Sequence, residues 1–198
     1  MNVNWAVGLD EAGRGPLAGP VFAAAVILPH PIPLSLSGLD DSKKLSPSAR
    51  EALFPLIQEL AVAWAIASAS VAEIEEHNIL QATFLAMRRA LAGLKVRPER
   101  ALVDGNQDPG LGIPTELVVR GDALHACISA ASILAKVARD RHMLELHAKY
   151  PVYGFDGHKG YAAASHREAI LKHGPCPEHR KLFLRNLLQT NLDLGGRG

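Results

Sequence analysis

The chain carries two cysteines, Cys127 and Cys176, in 198 residues. That is too few for the disulfide framework of a small secreted fold, so both are expected to be reduced thiols in a cytoplasmic protein. A positively charged leader with an apolar core and a cleavage site is missing from the opening MNVNWAVGLD, so secretion is not expected. The run without charge around Trp64, residues 60–72, has 13 residues, short of the roughly 20 that a membrane helix needs. The net charge is +1, so the field of the whole molecule announces no nucleic-acid partner. A Walker A loop and a Gly-x-Ser-x-Gly elbow are both lacking, which excludes those routes to nucleotide or acyl chemistry. Nine histidines occur without any compact Cys/His spacing of the zinc type. Internal repeats and low-complexity tracts are absent.

What is present is an ordinary globular balance, 48% hydrophobic and 21% charged, in a length that suits one domain, residues 1–198. Residues 5–10 and 21–28 read as strands, the second a nearly continuous buried run. Residues 29–46, rich in Pro, Gly and Ser, read as a loop ending at Ser46-Pro47, a helix start with proline in its first turn. The pattern predicts helix over 47–60, with Pro55 as a possible split, a strand around Val62, Trp64 and Ile66, and helix over 71–93 broken near His77-Asn78. Short strands follow at 101–104 and 117–119. Residues 123–150 form the longest expected helix, its apolar positions Leu124, Cys127, Ile128, Ala131, Leu134, Ala135 and Ala138 recurring every three or four residues. Two further helices, over 162–173 and 178–189, would make a small C-terminal appendage at about 155–190. Helices alternating with strands after a hairpin-like pair imply an α/β fold, a mixed sheet flanked by helices.

The most informative stretch is residues 8–21, GLDEAGRGPLAGPV. A predicted buried strand runs into Asp10 and Glu11, and two negative charges there are costly unless a cation neutralises them. Hard divalent ions prefer carboxylate oxygens. The bend Gly13-Arg14-Gly15 that follows offers backbone N–H groups and a guanidinium to a phosphate-bearing ligand. It resembles a dinucleotide-binding loop, but the next element reads as a strand rather than the helix such a loop must open. Asp104 ends a short apolar strand and Asp122 stands at the head of the long helix. Each alone reads as an ordinary Asp-Gly turn or a helix cap. Together they suggest four acidic groups gathered outside the ends of parallel strands, able to hold one or two cations. Adjacent residues on a strand point to opposite faces, so Asp10 and Glu11 converge only if the chain leaves strand geometry or Glu11 offers its backbone carbonyl. Between 154 and 185 there are six Lys or Arg against three Asp or Glu, a local basic bias suited to phosphates.

In the same order as these blocks, DSKKLS (41–46), NILQATFLAMRRAL (78–91), LVDGN (102–106), AASILAKVARD (130–140) and YGFDGHKGY (153–161) follow. Together with GLDEAGRGPLAGPV they resemble the ribonuclease HII (type 2 ribonuclease H) family over about residues 7–185. The resemblance implies a ribonuclease H-like mixed sheet, hydrolysis of RNA in RNA–DNA hybrids, and incision at single ribonucleotides in duplex DNA with 5′-phosphate and 3′-hydroxyl products. It implies Mg2+ or Mn2+ held by Asp10, Glu11, Asp104 and Asp122. Gly13, Arg14 and Gly15 would meet the ribose 2′-hydroxyl and nearby phosphates, and Tyr161 the sugar on the DNA side of the junction. Lys43 and Lys44 match phosphate-contacting positions, while Asn78, Ser129 and Ser132 occupy places suited to polar contacts with nucleic acid. A role in ribonucleotide removal during DNA replication and repair, a monomeric state, and no membrane association are expected. A sliding-clamp peptide at Gln189-x-x-Leu192-x-Leu194 competes with an ordinary helix end. A non-catalytic hybrid-binding module, or a related nuclease acting on DNA or on long hybrids only, remains open at this point.

Overall fold

The computed structural model describes residues 5–39 and 44–185. Lys43 and the candidate clamp peptide lie outside the described residues. Five strands among the described residues form one sheet in the order β3-β2-β1-β4-β5. They are β1 (Ala6–Ala12), β2 (Val21–Ile27), β3 (Ala63–Ala69), β4 (Arg100–Asp104) and β5 (Thr115–Val118). β1 pairs antiparallel with β2, and β2 with β3, whereas β1–β4 and β4–β5 are parallel. β1 is therefore the central strand, flanked by one antiparallel and one parallel neighbour.

Helices cover both faces of the sheet. α1 (Pro47–Leu60) begins at Ser46, whose hydroxyl accepts from Ala49 N at 3.1 Å, and Pro47 takes the first helical position. Pro55 does not split it. Its face is exposed, so the carbonyl that loses a partner at Glu51 lies near solvent. α2 (Val71–Ala92) opens with a reciprocal Ser70–Glu73 capping box and kinks at Asn78, as the sequence pattern predicts. α3 (Ala126–Lys149) is shorter at its start than periodicity implies. Asp122 is accordingly not its cap: it lies in a separate 3-10 turn, Gly121–Ala123, and His125 is the capping residue. The expected helix begins at residue 123 and its apolar stripe at Leu124, but the 3-10 turn ends at Ala123 and the helix begins only at Ala126.

Strand alternation sorts the core. Val7, Leu9, Val21, Ala23, Ala25 and Ile27 pack with Ile74, Ala86 and Met87 on the α2 side. Ala24, Val26 and Leu28 pack with Ile133, Leu134 and α1 residues on the α3 side. Gly8 permits the close approach of α3: a β-carbon there would stand 2.2 Å from the Cys127 carbonyl carbon and 2.4 Å from Ile128 N.

A third apolar cluster joins Ala18 and Met143 to Tyr153, Phe155, Ile170 and Leu184. It binds the end of α3 to α4 (Phe155–His158) and α5 (Ala164–His173), the region expected as a C-terminal appendage. Inside it His166 and His179 are buried with their Nε2 atoms 3.1 Å apart. Burial pushes both imidazoles down to about 4.

Two outcomes follow. Gly8→Ala forces a methyl group against helix backbone that has no side chain to move, and should lower unfolding stability by about 3 kcal/mol, read as a shift of the urea midpoint. The histidine pair stays neutral in the folded chain down to about pH 4, whereas the unfolded chain takes up protons below the ordinary value of 6.5. Stability is thus fully present above pH 6.5 and declines as pH falls toward 4. The slope of unfolding free energy against pH in that window should approach two protons taken up on unfolding.

Candidate functional site

At the end of β1, regular pairing continues through Glu11↔Ala23 and Ala12↔Phe22. The chain therefore keeps strand geometry where the sequence places its adjacent carboxylates, and their side chains diverge. Asp10 follows Gly8 onto the α3 face, where the Ser132 hydroxyl bonds it, and its Oδ1 accepts from Glu11 N at 2.7 Å. Glu11 follows Val7 and Leu9 to the α2 face, beside Leu80, Thr83 and Phe84. Asp104 ends the parallel neighbour β4, one position beyond the Leu9↔Val103 pair, and its Oδ1 accepts from Gly121 N at 2.7 Å.

Asp10, Glu11 and Asp104 line one recess of about 230 Å³ together with residues 12–15, Ser132, Lys136 and Tyr161. Asp10 is only 5% exposed. Burial first, then the charges of Glu11 and Asp104, hold its carboxyl well above the usual carboxylate range, against the opposing bond from Ser132. Crowded, desolvated carboxylate oxygens fit a divalent cation, which would remove the repulsion that raises Asp10. Among the described residues no group of three or more His, Cys, Asp or Glu closes on a common point as a ready-made cage. Asp122 does not line the recess. It is 6% exposed, and the amide of its neighbour Gly121 donates to Asp104.

The bend after β1 is held from below by two arginines that are fully buried. Arg180 donates from Nη2 to Gly13 O at 2.6 Å, from Nη1 to Arg14 O at 2.9 Å and from Nε to Gly19 O at 2.9 Å. Arg139 donates to Pro20 O (3.2 Å), Ala18 O (3.2 Å) and Lys159 O (3.1 Å). Burial lowers both guanidiniums, and Arg139 adds repulsion that brings Arg180 to about 9, still charged at neutral pH. Because peptide units are planar and trans, the carbonyls of Gly13 and Arg14 facing Arg180 turn the N–H groups of Arg14 and Gly15 away from it. Gly13 is obligatory here: its φ is +97°, and a β-carbon would fall 2.0 Å from Arg139 Nε.

Tyr161 stands across the recess, 45% exposed, its ring 5.8 Å from the Arg139 guanidinium carbon. Arg14 is half exposed and 3.5 Å from Glu11. Ser132 lies in the recess, whereas Ser129 is buried on α3 outside its lining. Asn78 has φ +68° and ψ 166°, a conformation seldom taken by residues other than glycine. Its side-chain oxygen accepts from Leu80 N and Gln81 N at 3.0 and 3.1 Å, capping the second half of α2 rather than facing the recess. Lys44 is exposed and outside the lining.

Three residues escaped the sequence reading. Lys136 is the lysine of the recess lining, one turn beyond Ser132 and ion-paired with Asp140 at 2.8 Å. Arg139 continues the buried stripe of Ile128, Ala135 and Met143, and a charge on such a stripe is the signal that could have found it. Arg180 sits among His179 and Lys181 with no periodicity to mark it.

A family model for Ribonuclease HII matches residues 7–190. The chain belongs to the ribonuclease HII family. It is a ribonuclease H endonuclease, of a family that acts on RNA–DNA hybrids with divalent metal ions. Over 176 residues it is 60% identical to the Ribonuclease HII of Acidovorax sp. strain JS42, covering 89% of this chain and 83% of that one. Its fold is similar to ribonuclease H2 from Pyrococcus horikoshii OT3, with a TM-score of 0.79 at 27% identity, covering 94% and 98% of the two chains. It is also similar to the RNase HII solved in complex with PCNA from Archaeoglobus fulgidus, with a TM-score of 0.73 at 27% identity over 95% and 98%. The mixed sheet flanked by helices is thus the fold that the resemblance implies. No helix of the described residues is long and apolar enough to cross a membrane.

Arg180→Met strands the buried carbonyls of Gly13 and Gly19 and the part-buried one of Arg14, and should cost about 3 kcal/mol of stability. Arg180→Lys should not restore it, since one ammonium cannot span three acceptors as a planar guanidinium does. Thermal melts of the two variants beside the parent chain check this.

Proposed function

We propose that this family member incises duplex DNA on the 5′ side of a single embedded ribonucleotide and also cuts the RNA strand of long RNA–DNA hybrids. Products carry 5′-phosphate and 3′-hydroxyl ends, and the role is removal of ribonucleotides in DNA replication and repair. The observation that carries the reading is the meeting, on one recess, of Asp10 and Asp104 with the anchored bend and Tyr161. Acidic oxygens alone would repel a polyanionic substrate, so their crowding beside a bend built for close backbone contact suits metal-dependent phosphodiester chemistry.

Asp10 and Asp104 would hold Mg2+ or Mn2+ by their carboxylates and Glu11 by its backbone carbonyl, with Asp122 as the fourth acidic group tethered next to Asp104. The chemistry such a cation supplies is activation of water and neutralisation of charge building on the phosphate. The chain's own residues do the rest. Ser132 fixes the Asp10 carboxyl through its hydroxyl. Lys136, aimed by Asp140, offers an ammonium to a phosphate oxygen. The N–H groups of Arg14 and Gly15 face outward for the ribose 2′-hydroxyl and its phosphates, the group that separates RNA from DNA at a given site. Tyr161 packs its ring against the next sugar, which admits deoxyribose. Lys43 and Lys44 would touch phosphates further along the duplex.

Gel-resolved cleavage of a lone-ribonucleotide duplex, beside an all-DNA duplex and a long hybrid, tests the reading. Cutting of the first and third substrates that a chelator abolishes is expected. Cutting of the all-DNA duplex, or of the long hybrid alone, would overturn it. Asp10→Asn should lower cleavage at least about a thousandfold, a loss of several kcal/mol of transition-state stabilisation, with hybrid binding retained in a gel-shift assay.

A further inference from the structure

The imidazoles of the C-terminal cluster form a chain whose proton positions are dictated by their partners. Cys176 N donates to His179 Nδ1 at 2.9 Å, and the Cys176 sulfur lies 3.1 Å from the same nitrogen. A nitrogen that accepts carries no proton, so His179 holds its proton on Nε2. That atom is 3.1 Å from His166 Nε2, which must therefore accept, leaving the His166 proton on Nδ1. His166 Nδ1 is 2.7 Å from Tyr161 O, and a carbonyl can only accept. The series is thus closed: Cys176 amide to His179, His179 to His166, His166 to the main-chain oxygen of Tyr161. Each ring uses both nitrogens, and one proton per ring satisfies the whole series.

The surroundings hold the rings in this order. His158 stacks on His166 with centroids 4.3 Å apart and 15° between planes, and Phe155 meets His166 edge-on at 83°. His158 is itself fixed, its Nδ1 accepting from Gly160 N at 3.1 Å and its Nε2 donating to Tyr153 O at 2.8 Å. Tyr161 O receives a second bond from Ala163 N at 2.8 Å, and Tyr161 N donates to His158 O at 2.9 Å. The main chain of Tyr161 is therefore pinned on both sides while its ring reaches the recess.

We infer that His166 and His179 are positioning residues for substrate selection: an ordered two-imidazole relay fixes the Tyr161 carbonyl and, through it, the placement of the Tyr161 ring against the sugar. The inference rests on the reading of Tyr161 given under the proposed function. His179 is followed in the chain by Arg180, which holds the carbonyls of the bend. One dipeptide thereby sets both sides of the recess, the bend directly and Tyr161 through His166. This explains why two buried polar rings persist where Phe or Leu would pack at lower desolvation cost.

Two measurements test it. Proton–nitrogen correlation spectra of protein labelled at the histidine ring nitrogens should show, at neutral pH, His166 protonated on Nδ1 and His179 on Nε2. A His166 proton on Nε2 would overturn the relay whatever the enzyme does. The second is the ratio of kcat/KM on a lone-ribonucleotide duplex to that on a long hybrid, which cancels the amount of folded protein. His166→Phe should lower this ratio about tenfold, as expected of a small displacement of a contacting group. His166→Asn, whose amide N–H stands where Nδ1–H does, should recover most of it. Equal losses for Asn and Phe, or no change for Phe while Tyr161→Ala lowers the ratio, would refute positioning through the hydrogen bond. An unchanged ratio in Tyr161→Ala would instead refute the role of Tyr161 and with it the selection role of the pair, leaving the spectra to report the relay by itself.

Discussion

Two fully buried guanidinium groups organise the face of this protein that matters. Arg139 and Arg180 donate to six backbone carbonyls, five of them within residues 13–20. A glycine-rich bend has little intrinsic preference for any one shape, because glycine restricts its backbone least and loses most entropy on ordering. Leu17 and Ala18 are held by apolar packing and by a bridge to His179, but the Gly13-Arg14-Gly15 portion lies past the end of β1 with few side chains to bury. Fixed donors order that portion, and the planar fork of arginine supplies several in a set geometry. The buried positive charges are tolerated because every carbonyl dipole points its negative end at them.

The acidic recess obeys a different constraint. Strand geometry persists through Ala12, so the two adjacent carboxylates cannot act as a pair of like side chains on one face. What the fold sets side by side is Asp10 with Asp104, on neighbouring parallel strands and near the same level, while Glu11 reaches the same recess from the other face. The small partners of β1 on β2, Ala23, Ala24 and Ala25, leave room for helices to press close on both sides. Burial of Asp10 is the result, and it raises the cost of an uncompensated negative charge there.

Much of this was legible from residue patterns. Alternation and periodicity located the five strands, the last of them two residues late at its start, and three long helices, and Ser46-Pro47 marked the start of α1 because its capping chemistry is local. The break in α2 at Asn78 was legible for the same reason. Asp122 was misplaced because an acidic residue ahead of an apolar stripe looks like a cap, whereas the three-residue turn between them is stabilised by Asp104, seventeen positions upstream and invisible to any local pattern. The anchoring of the bend was illegible in kind. Its donors come from α3 and from the segment after α5, and a hydrogen bond between a side chain and a distant carbonyl leaves no periodic trace. Arg139 alone gave a hint, as a charge on an otherwise buried helical stripe.

The separation of the bend from its anchors along the chain has a consequence for biosynthesis. Arg180 grips carbonyls 166 and 167 positions before it. Chains grow from the N-terminus, and early segments collapse while later ones are still unmade. The strands of the sheet end by residue 118 and are made well before residue 180, so the bend must wait for a later segment of the chain to leave the ribosome. A polypeptide cut short before Cys176 would keep its acidic residues and the two apolar layers on the sheet, yet lose Leu184 from the third cluster and leave the loop between β1 and β2 without its Arg180 clasp, so an unfinished copy is set apart by the order of its loop while the layers on the sheet stay whole.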